Sequence, residues 1–172
     1  YWNFFEHVYP ILSEKNIPAE LFVVPSFIDD IDQQYIRDRL NIEQSPNRCM
    51  LTWDELTEIA SNKLISIGNH TKTHPNLSDL SVSKQRREIE SGKRKLEQTA
   101  CCNIDSFCYP GGDYDGSTLD LVSESHDFAV TTQMGAVGQN QPYRLPRIHG
   151  HDDRSLFKWE CSNLSHAILE TV

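Results

Sequence analysis

The run LISIGNHTKTHPNLSDL, Leu64 to Leu80, changes character at its middle. Leu64-Ile65-Ser66-Ile67 is short and apolar and predicts a buried strand. Gly68 and Asn69 are expected to end it. His70 and His74 follow four residues apart, and Pro75 stops any helix from continuing through them. A strand that empties into a loop carrying two imidazoles is where an α/β protein places a metal ion. Spacing alone is weak, since a chain with 7 histidines in 172 residues can produce such a pair by chance, on a plain surface loop. The preceding strand, the Gly-Asn break and the Pro-Asn-Leu-Ser turn favour ligation.

The length suits one domain with a sizeable core. Hydrophobic residues at 38% and charged residues at 24% fit a soluble globular protein. The net charge is −9, from 16 basic and 25 acidic residues. The one basic concentration, Lys84 to Lys95, is interleaved with Glu88 and Glu90. It predicts a solvated helix face and argues against nucleic acid as a partner. No apolar run approaches the roughly 18 residues of a membrane span. The cysteines Cys49, Cys101, Cys102, Cys108 and Cys161 are odd in number and lack zinc-knuckle spacing. They read as reduced thiols in a reducing compartment. Three Asn-x-Ser/Thr triplets, at Asn69, Asn76 and Asn163, read as coincidence, because the first would put a glycan on the proposed metal loop.

Outward from the histidine loop the chain alternates. Tyr1 to Asn16 has helical periodicity, with Pro10 expected to kink or restart the helix. Ala19 to Val24 is a strand candidate. Ser26 to Met50 is a polar connection with Asp29-Asp30 and a helical piece, Gln33 to Leu40. Thr52-Trp53-Asp54-Glu55 is a capping box opening a helix to about Asn62. Ser81 or Ser83 caps a long polar helix to about Thr99. Asp105 to Tyr109 is a strand that empties into Pro110-Gly111-Gly112. Ser117 to Ser125 is a helix, Phe128 to Thr132 a strand, Met134 to Pro142 a loop, Leu145 to His149 a last strand, and Ser155 to Leu169 a closing helix. Such alternation predicts a parallel α/β sheet or barrel. Right-handed crossovers then gather the strand ends Pro25-Ser26, Asn69-His70, Pro110-Gly111 and Thr131-Thr132 on one face, as an active site of this class needs.

In this order the segments resemble the polysaccharide deacetylase family, carbohydrate esterase family four. Ile17 to Pro25 resembles its second strand, Ile67 to Leu77 its histidine motif, and Phe107-Cys108-Tyr109-Pro110-Gly111-Gly112 its third motif. Phe128 to Thr132 and Leu145 to Ile148 resemble later strands of one bacterial branch. The resemblance implies a distorted (β/α)7 barrel, here without its first strand, so that residues 1–172 form a single, N-terminally incomplete domain. It implies hydrolysis of N-acetyl groups on an acetylated polysaccharide, in surface polysaccharide metabolism. A catalytically silent carbohydrate-binding relative is the alternative. A divalent metal would be held by two His and one Asp. Zinc suits imidazole plus carboxylate, with cobalt, nickel and iron open.

Residue by residue, His70 and His74 match the ligands, and Thr71 would brace the loop on the substrate side. The backbone N–H of Gly111 or Tyr109 would receive the oxyanion. Tyr109 or Tyr114 would form the sugar wall, although either could equally be core. The family's acid histidine has no clean match, and His149 and His151 are candidates. Where many members carry an arginine this chain has Cys108; Arg147 could supply that guanidinium or make a plain surface salt bridge. The family's Asp-Asp motif would precede Tyr1. Asp29-Asp30 reads as loop or cap, and Asp152-Asp153 is a weaker substitute. A barrel lacking a strand would expose an edge and an apolar groove, giving marginal stability or a homodimer. The compartment reads as cytoplasmic, with periplasmic or secreted as alternatives.

Overall fold

The computed structural model describes residues 3–28, 49–135, 141–148 and 150. Asp29-Asp30, the Gln33 to Leu40 helix, His149, His151, Asp152-Asp153, Cys161 and the Ser155 to Leu169 helix lie outside them.

A π-helical turn, Phe4–Val8, leads into helix α1, Tyr9–Lys15. Pro10 sits in the first turn of α1, where its missing N–H leaves no bond unmade, so the helix restarts there. Strand β1, Ala19–Val23, precedes a 3-10 turn, Pro25–Phe27. Helix α2, Trp53–Ser61, opens on the expected capping box. Thr52 Oγ1 accepts from the Glu55 N–H at 3.2 Å, and a Glu55 carboxylate oxygen accepts from the Thr52 N–H at 2.9 Å. Then come β2, Ile65–Asn69; α3, Val82–Ala100; β3, Ser106–Cys108; a second 3-10 turn, Pro110–Gly112; α4, Gly116–Ser123; β4, Phe128–Met134; and β5, Leu145–Arg147.

Several expected boundaries shift: β3 and β5 are shorter than expected, β4 runs on to Met134, and the end of β2 bears on the site. Gly68 and Asn69 do not end β2 but continue it, opposite Phe22 and Val23 of β1. A Cβ on Gly68 would overlap the Phe22 ring and lie 2.6 Å from Ser106 Oγ, so the strand is kept narrow where its neighbours press in. Asn69 is wholly buried and pairs in register with Phe107 of β3.

The sheet is all parallel, in the order β1-β2-β3-β4-β5. Each strand lies beside its successor, the order of a barrel wall; a doubly wound sheet reverses direction partway. The helices lie on one face. Leu56 and Ile59 of α2 and Leu96 of α3 pack on Val23, Ile65 and Ile67, while Ile89 of α3 and Leu121 and Val122 of α4 pack on Phe107 and Ala129. Each such side chain contributes about 1.5–3 kcal/mol by leaving water. The opposite face carries Glu20, Phe22, Ser66, Gly68, Ser106 and Cys108. There the Ser106 hydroxyl donates to the Glu20 carboxylate. Among the described residues β1 pairs only with β2 and β5 only with β4.

Helix α3 approaches the loop after β2 at Gly92. A Cβ there would lie 2.5 Å from Asn69 Oδ1, 2.9 Å from the Thr71 carbonyl carbon and 3.0 Å from Lys72 N. Two of those atoms are backbone and cannot swing aside. Alanine in a helix interior normally gains about 1 kcal/mol over glycine. Here Gly92→Ala is expected to reverse that sign and cost about 1–3 kcal/mol, as overpacking does. Urea unfolding of the two proteins measures it, and an alanine variant at least as stable as the parent would show that loop and helix part freely.

Candidate active site

A cavity of about 310 Å³ opens at the C-terminal ends of the strands. Val24 and Phe27 line it from the end of β1, His70 and His74 from the loop after β2, Cys108 and Gly111 from the end of β3, Thr132 from β4 and Arg147 from β5. The expected convergence of strand ends is therefore present, with Arg147 added.

The His70 N–H extends the sheet by donating to the Val23 carbonyl at 3.1 Å. Its ring turns toward β3, with Nδ1 2.6 Å from the Cys108 carbonyl oxygen. A carbonyl can only accept, so Nδ1 carries the proton and Nε2 keeps a lone pair. Burial lowers the His70 pKa to about 4. The Cys108 carbonyl works against that shift, while His74 and Arg147 add to it. At neutral pH the ring is an uncharged ligand-type imidazole. The His74 ring lies 4.7 Å away, centroid to centroid, at 77°.

Between the histidines the backbone is left-handed at two residues other than glycine, Thr71 (φ 65) and His74 (φ 61). For β-branched threonine this is a rare conformation that its surroundings must enforce. Thr71 is fully buried, and its hydroxyl accepts from the His74 N–H at 2.9 Å. Thr71 thus braces the loop as expected, and its buried side chain is not among the described residues that line the cavity, against the expected place on the substrate side. The Lys72 N–H donates to the Glu88 carbonyl at 3.0 Å and the Thr73 N–H to the Glu88 carboxylate at 2.8 Å, which hangs the loop on α3. Asp113 clamps its far end, accepting from the Ser78 N–H and hydroxyl at 2.7 Å each.

Asn69 and His126 escaped the sequence reading as site supports. The Asn69 amide NH₂ donates to the Ile89 carbonyl at 2.9 Å and lies 3.2 Å from His126 Nε2, which must accept. His126 Nδ1 then carries the proton toward Ser125 Oγ at 2.9 Å. Burial lowers the His126 pKa to about 4, Lys93 adds to the shift, and a backbone bond at Val122 opposes it.

Tyr109 is among the residues lining the cavity, but its ring takes the core alternative and its N–H is already engaged. Its side chain is buried against Phe107 and Tyr114, and its hydroxyl donates to the Tyr143 carbonyl at 3.0 Å. Burial pushes the phenol pKa up. The Tyr109 N–H is engaged by the Val130 carbonyl at 3.3 Å. The ring is core rather than sugar wall, and the N–H belongs to the sheet. Period-two alternation from Phe107 to Tyr109 signals this. Tyr114 is half-buried, with the Arg144 guanidinium 5.8 Å from its ring, and does not line the cavity. Gly111 is exposed at φ 62, which glycine adopts without strain. The turn's own bonds run from the Gly112 N–H to the Tyr109 carbonyl and from the Asp113 N–H to the Pro110 carbonyl, leaving the Gly111 N–H out of them. Arg147 Nε donates to the Thr131 carbonyl at 2.8 Å, holding the guanidinium in the cavity wall. Cys49, Cys101, Cys102 and Cys108 are free thiols, and burial pushes the Cys108 thiol up.

A sequential parallel α/β sheet with paired imidazoles and a Pro-Gly-Gly turn at its C-terminal rim defines a barrel-type α/β scaffold. The polysaccharide deacetylase family model matches residues 1–128, and the chain belongs to that family. Among solved structures it is similar to the Streptococcus pyogenes deacetylase PplD in complex with acetate, at 25% identity and a TM-score of 0.69, over 85% of this chain and 58% of that one. It is also similar to the BpsB deacetylase domain of Bordetella bronchiseptica (17% identity, TM-score 0.68, 86% of this chain and 66% of that one). A third match is BA3943 of Bacillus anthracis, described as a family-four pseudoenzyme (16%, TM-score 0.51, 71% and 36%). The last two speak to the fold alone. The fold is thus that of the family's distorted (β/α)7 barrel. The chain spans 58% of the length of the streptococcal deacetylase. No curated protein sequence matches it.

An imidazole held at about 4 instead of 6.5 favours the folded state above pH 6.5 and gives up that contribution as pH falls toward 4. Metal-free protein is therefore expected to lose stability over that window, and His126→Gln to lose less. Urea midpoints of both proteins from pH 7 to pH 4 test this; parallel curves would mean that His126 is not buried as a neutral ring.

Proposed function

We propose that this domain takes part in the metal-dependent removal of N-acetyl groups from a polysaccharide, with His70 and His74 holding the ion. The observation that carries the reading is the fixed tautomer of His70. With Nδ1–H anchored on the Cys108 carbonyl, Nε2 is a bare donor in the cavity that the His74 ring also lines. This chemistry fits a divalent ion of zinc type. Among the described residues no group of three His, Cys, Asp or Glu side chains could hold a metal, so the remaining ligand and the general base are assigned to carboxylates outside them. Bound there, an ion with open positions would lower the pKa of its water to about 7 and polarise the acetyl carbonyl.

The chain's own residues supply the rest. The Gly111 N–H, at the exposed rim, would donate to the oxyanion as it forms. Arg147, tied to the Thr131 carbonyl, would orient the base's carboxylate in the place of the arginine that Cys108 replaces. Phe27 lies 6.1 Å from the His74 ring and keeps that side of the site apolar. The edge of β1 that has no partner among the described residues would be covered by a further strand, from this polypeptide or from a second copy in a homodimer.

Acetate release from N-acetylated oligosaccharides by the full-length protein tests the proposal. Chelation and His70→Ala are each expected to lower kcat/KM by about a hundredfold or more, beyond the usual cost of disturbing a ligand's supports. Metal-loaded protein that releases no acetate from several acetylated glycans yet binds them would instead be a silent carbohydrate-binding relative.

A further inference from the structure

A second cavity, of about 580 Å³, lies behind the histidine loop. Trp53, Lys72, Arg94 and Lys95 line it together with Ser91 and Gln98, and among the described residues no acidic side chain does. Its remaining wall is Pro25, Ser26 and Ile28, and Ile28 lines the histidine cavity as well. Lys72 stands in sequence between His70 and His74, and the Ser26 N–H donates to its carbonyl at 3.2 Å. One short loop therefore presents imidazoles to one cavity and an ammonium to the other.

Two other cations of α3 are ion-paired. Arg86 pairs with Glu90 at 3.0 Å and Glu124 at 2.8 Å, and Lys93 pairs with Glu97 at 3.5 Å. Among the described residues Lys72, Arg94 and Lys95 have no ion-pair partner. Glu88 keeps its carboxylate on the Thr73 N–H and is not part of the lining. Lys95 Nζ sits 4.8 Å from the centroid of the Trp53 ring. On a chain of net charge −9, three cations without an ion-pair partner among the described residues gather around one groove. Such a cluster suits a sparsely charged ligand; the uniform charge of a nucleic acid would meet the surrounding field as repulsion.

We infer that this groove binds the anionic flank of an acidic polysaccharide whose neighbouring N-acetyl sugar occupies the histidine cavity. The anion is a uronate carboxylate or a phosphodiester within the same glycan. Arg94 offers a bidentate fork, Lys72 and Lys95 offer point charges, and Trp53 offers an aromatic wall beside a sugar ring. The inference rests on the hydrolase reading above and names its substrate class.

The test uses full-length protein and equal-length oligomers of three kinds: neutral N-acetylhexosamine, N-acetylhexosamine alternating with hexuronate, and N-acetylhexosamine bearing phosphodiesters. Calorimetry reads binding and acetate release reads turnover. At least one charged oligomer is expected to bind about tenfold more tightly than the neutral one, the worth of one charge-assisted hydrogen bond. Which one does so identifies the anion. Raised salt should erode the preference as screening shortens to a few ångströms. The double variant Arg94→Glu/Lys95→Glu should lose the preference through KM, with kcat on the charged oligomer within about twofold, the pattern of lost uniform binding. Arg87→Glu, exposed on α3 outside the groove, makes the same kind of charge change and should retain it. Equal binding of charged and neutral oligomers, or equal loss in the Arg87 control, overturns the inference. So does equally tight binding of an oligonucleotide of matched charge. A charge preference that survives without acetate release supports the groove while refuting the hydrolase reading.

Discussion

The site depends on one hydrogen bond, from His70 Nδ1 to the Cys108 carbonyl. Strand β3 is only three residues long, and its register with β2 is a single pair, Asn69 with Phe107. Beyond that pair the Cys108 carbonyl is met by a ring nitrogen. The sheet thereby fixes a tautomer: any shift of β3 against β2 would move the acceptor and release the imidazole. Burial does the complementary work by keeping the ring uncharged. Geometry and protonation state come from the same few strand ends, which is why the cavity and its imidazoles are inseparable from the parallel order of the sheet.

Helix α3 is the second support, and its role is mechanical. Gly92 admits the loop, the Ile89 carbonyl accepts from Asn69, and Glu88 accepts two N–H groups through its carbonyl and its carboxylate. Gln85, nearer the start of the helix, donates to the Leu80 carbonyl and to Asp115 at 3.2 Å each and accepts from Thr118, joining the loop's end to the start of α4. A helix that reads in sequence as a polar, solvated surface thus has one face that packs on the sheet and positions the loop, and another whose Arg94 and Lys95 have no ion-pair partner among the described residues.

Much of this was legible beforehand because local rules sufficed. The Thr52/Glu55 box needs only a four-residue window, α1 restarts at Pro10 because proline lacks an N–H, and the paired histidines after an apolar run mark a strand exit. The failures share a physical cause, partners distant in sequence. Asn69 looked like a strand terminator because its type favours turns, yet its bonds reach Ile89 and His126, 20 and 57 residues away. Tyr109 looked like a rim aromatic because it precedes Pro-Gly-Gly, yet the pleat of β3 turns it to the helix side, where Tyr143 supplies its acceptor. The basic groove was invisible because Lys72, Trp53 and Arg94 come from three separate segments.

The left-handed backbone at Thr71 and His74 bears on how the imidazoles come to be aimed. Such conformations cost of order 1 kcal/mol or more for residues with a Cβ and persist only where neighbours over-determine them. Here the neighbours are the Thr71 hydroxyl, the Glu88 groups and the close face of α3, and none of them is a ligand. The loop's own neighbours therefore hold its left-handed backbone and, with it, the mutual placement of the two rings. If the proposed ion binds there, ordering the loop would fall to these neighbours and not to the ion. That division of labour ties the rare backbone at Thr71 to the chemistry proposed for His70 and His74, and makes α3 part of the site although it contributes no side chain to the cavity.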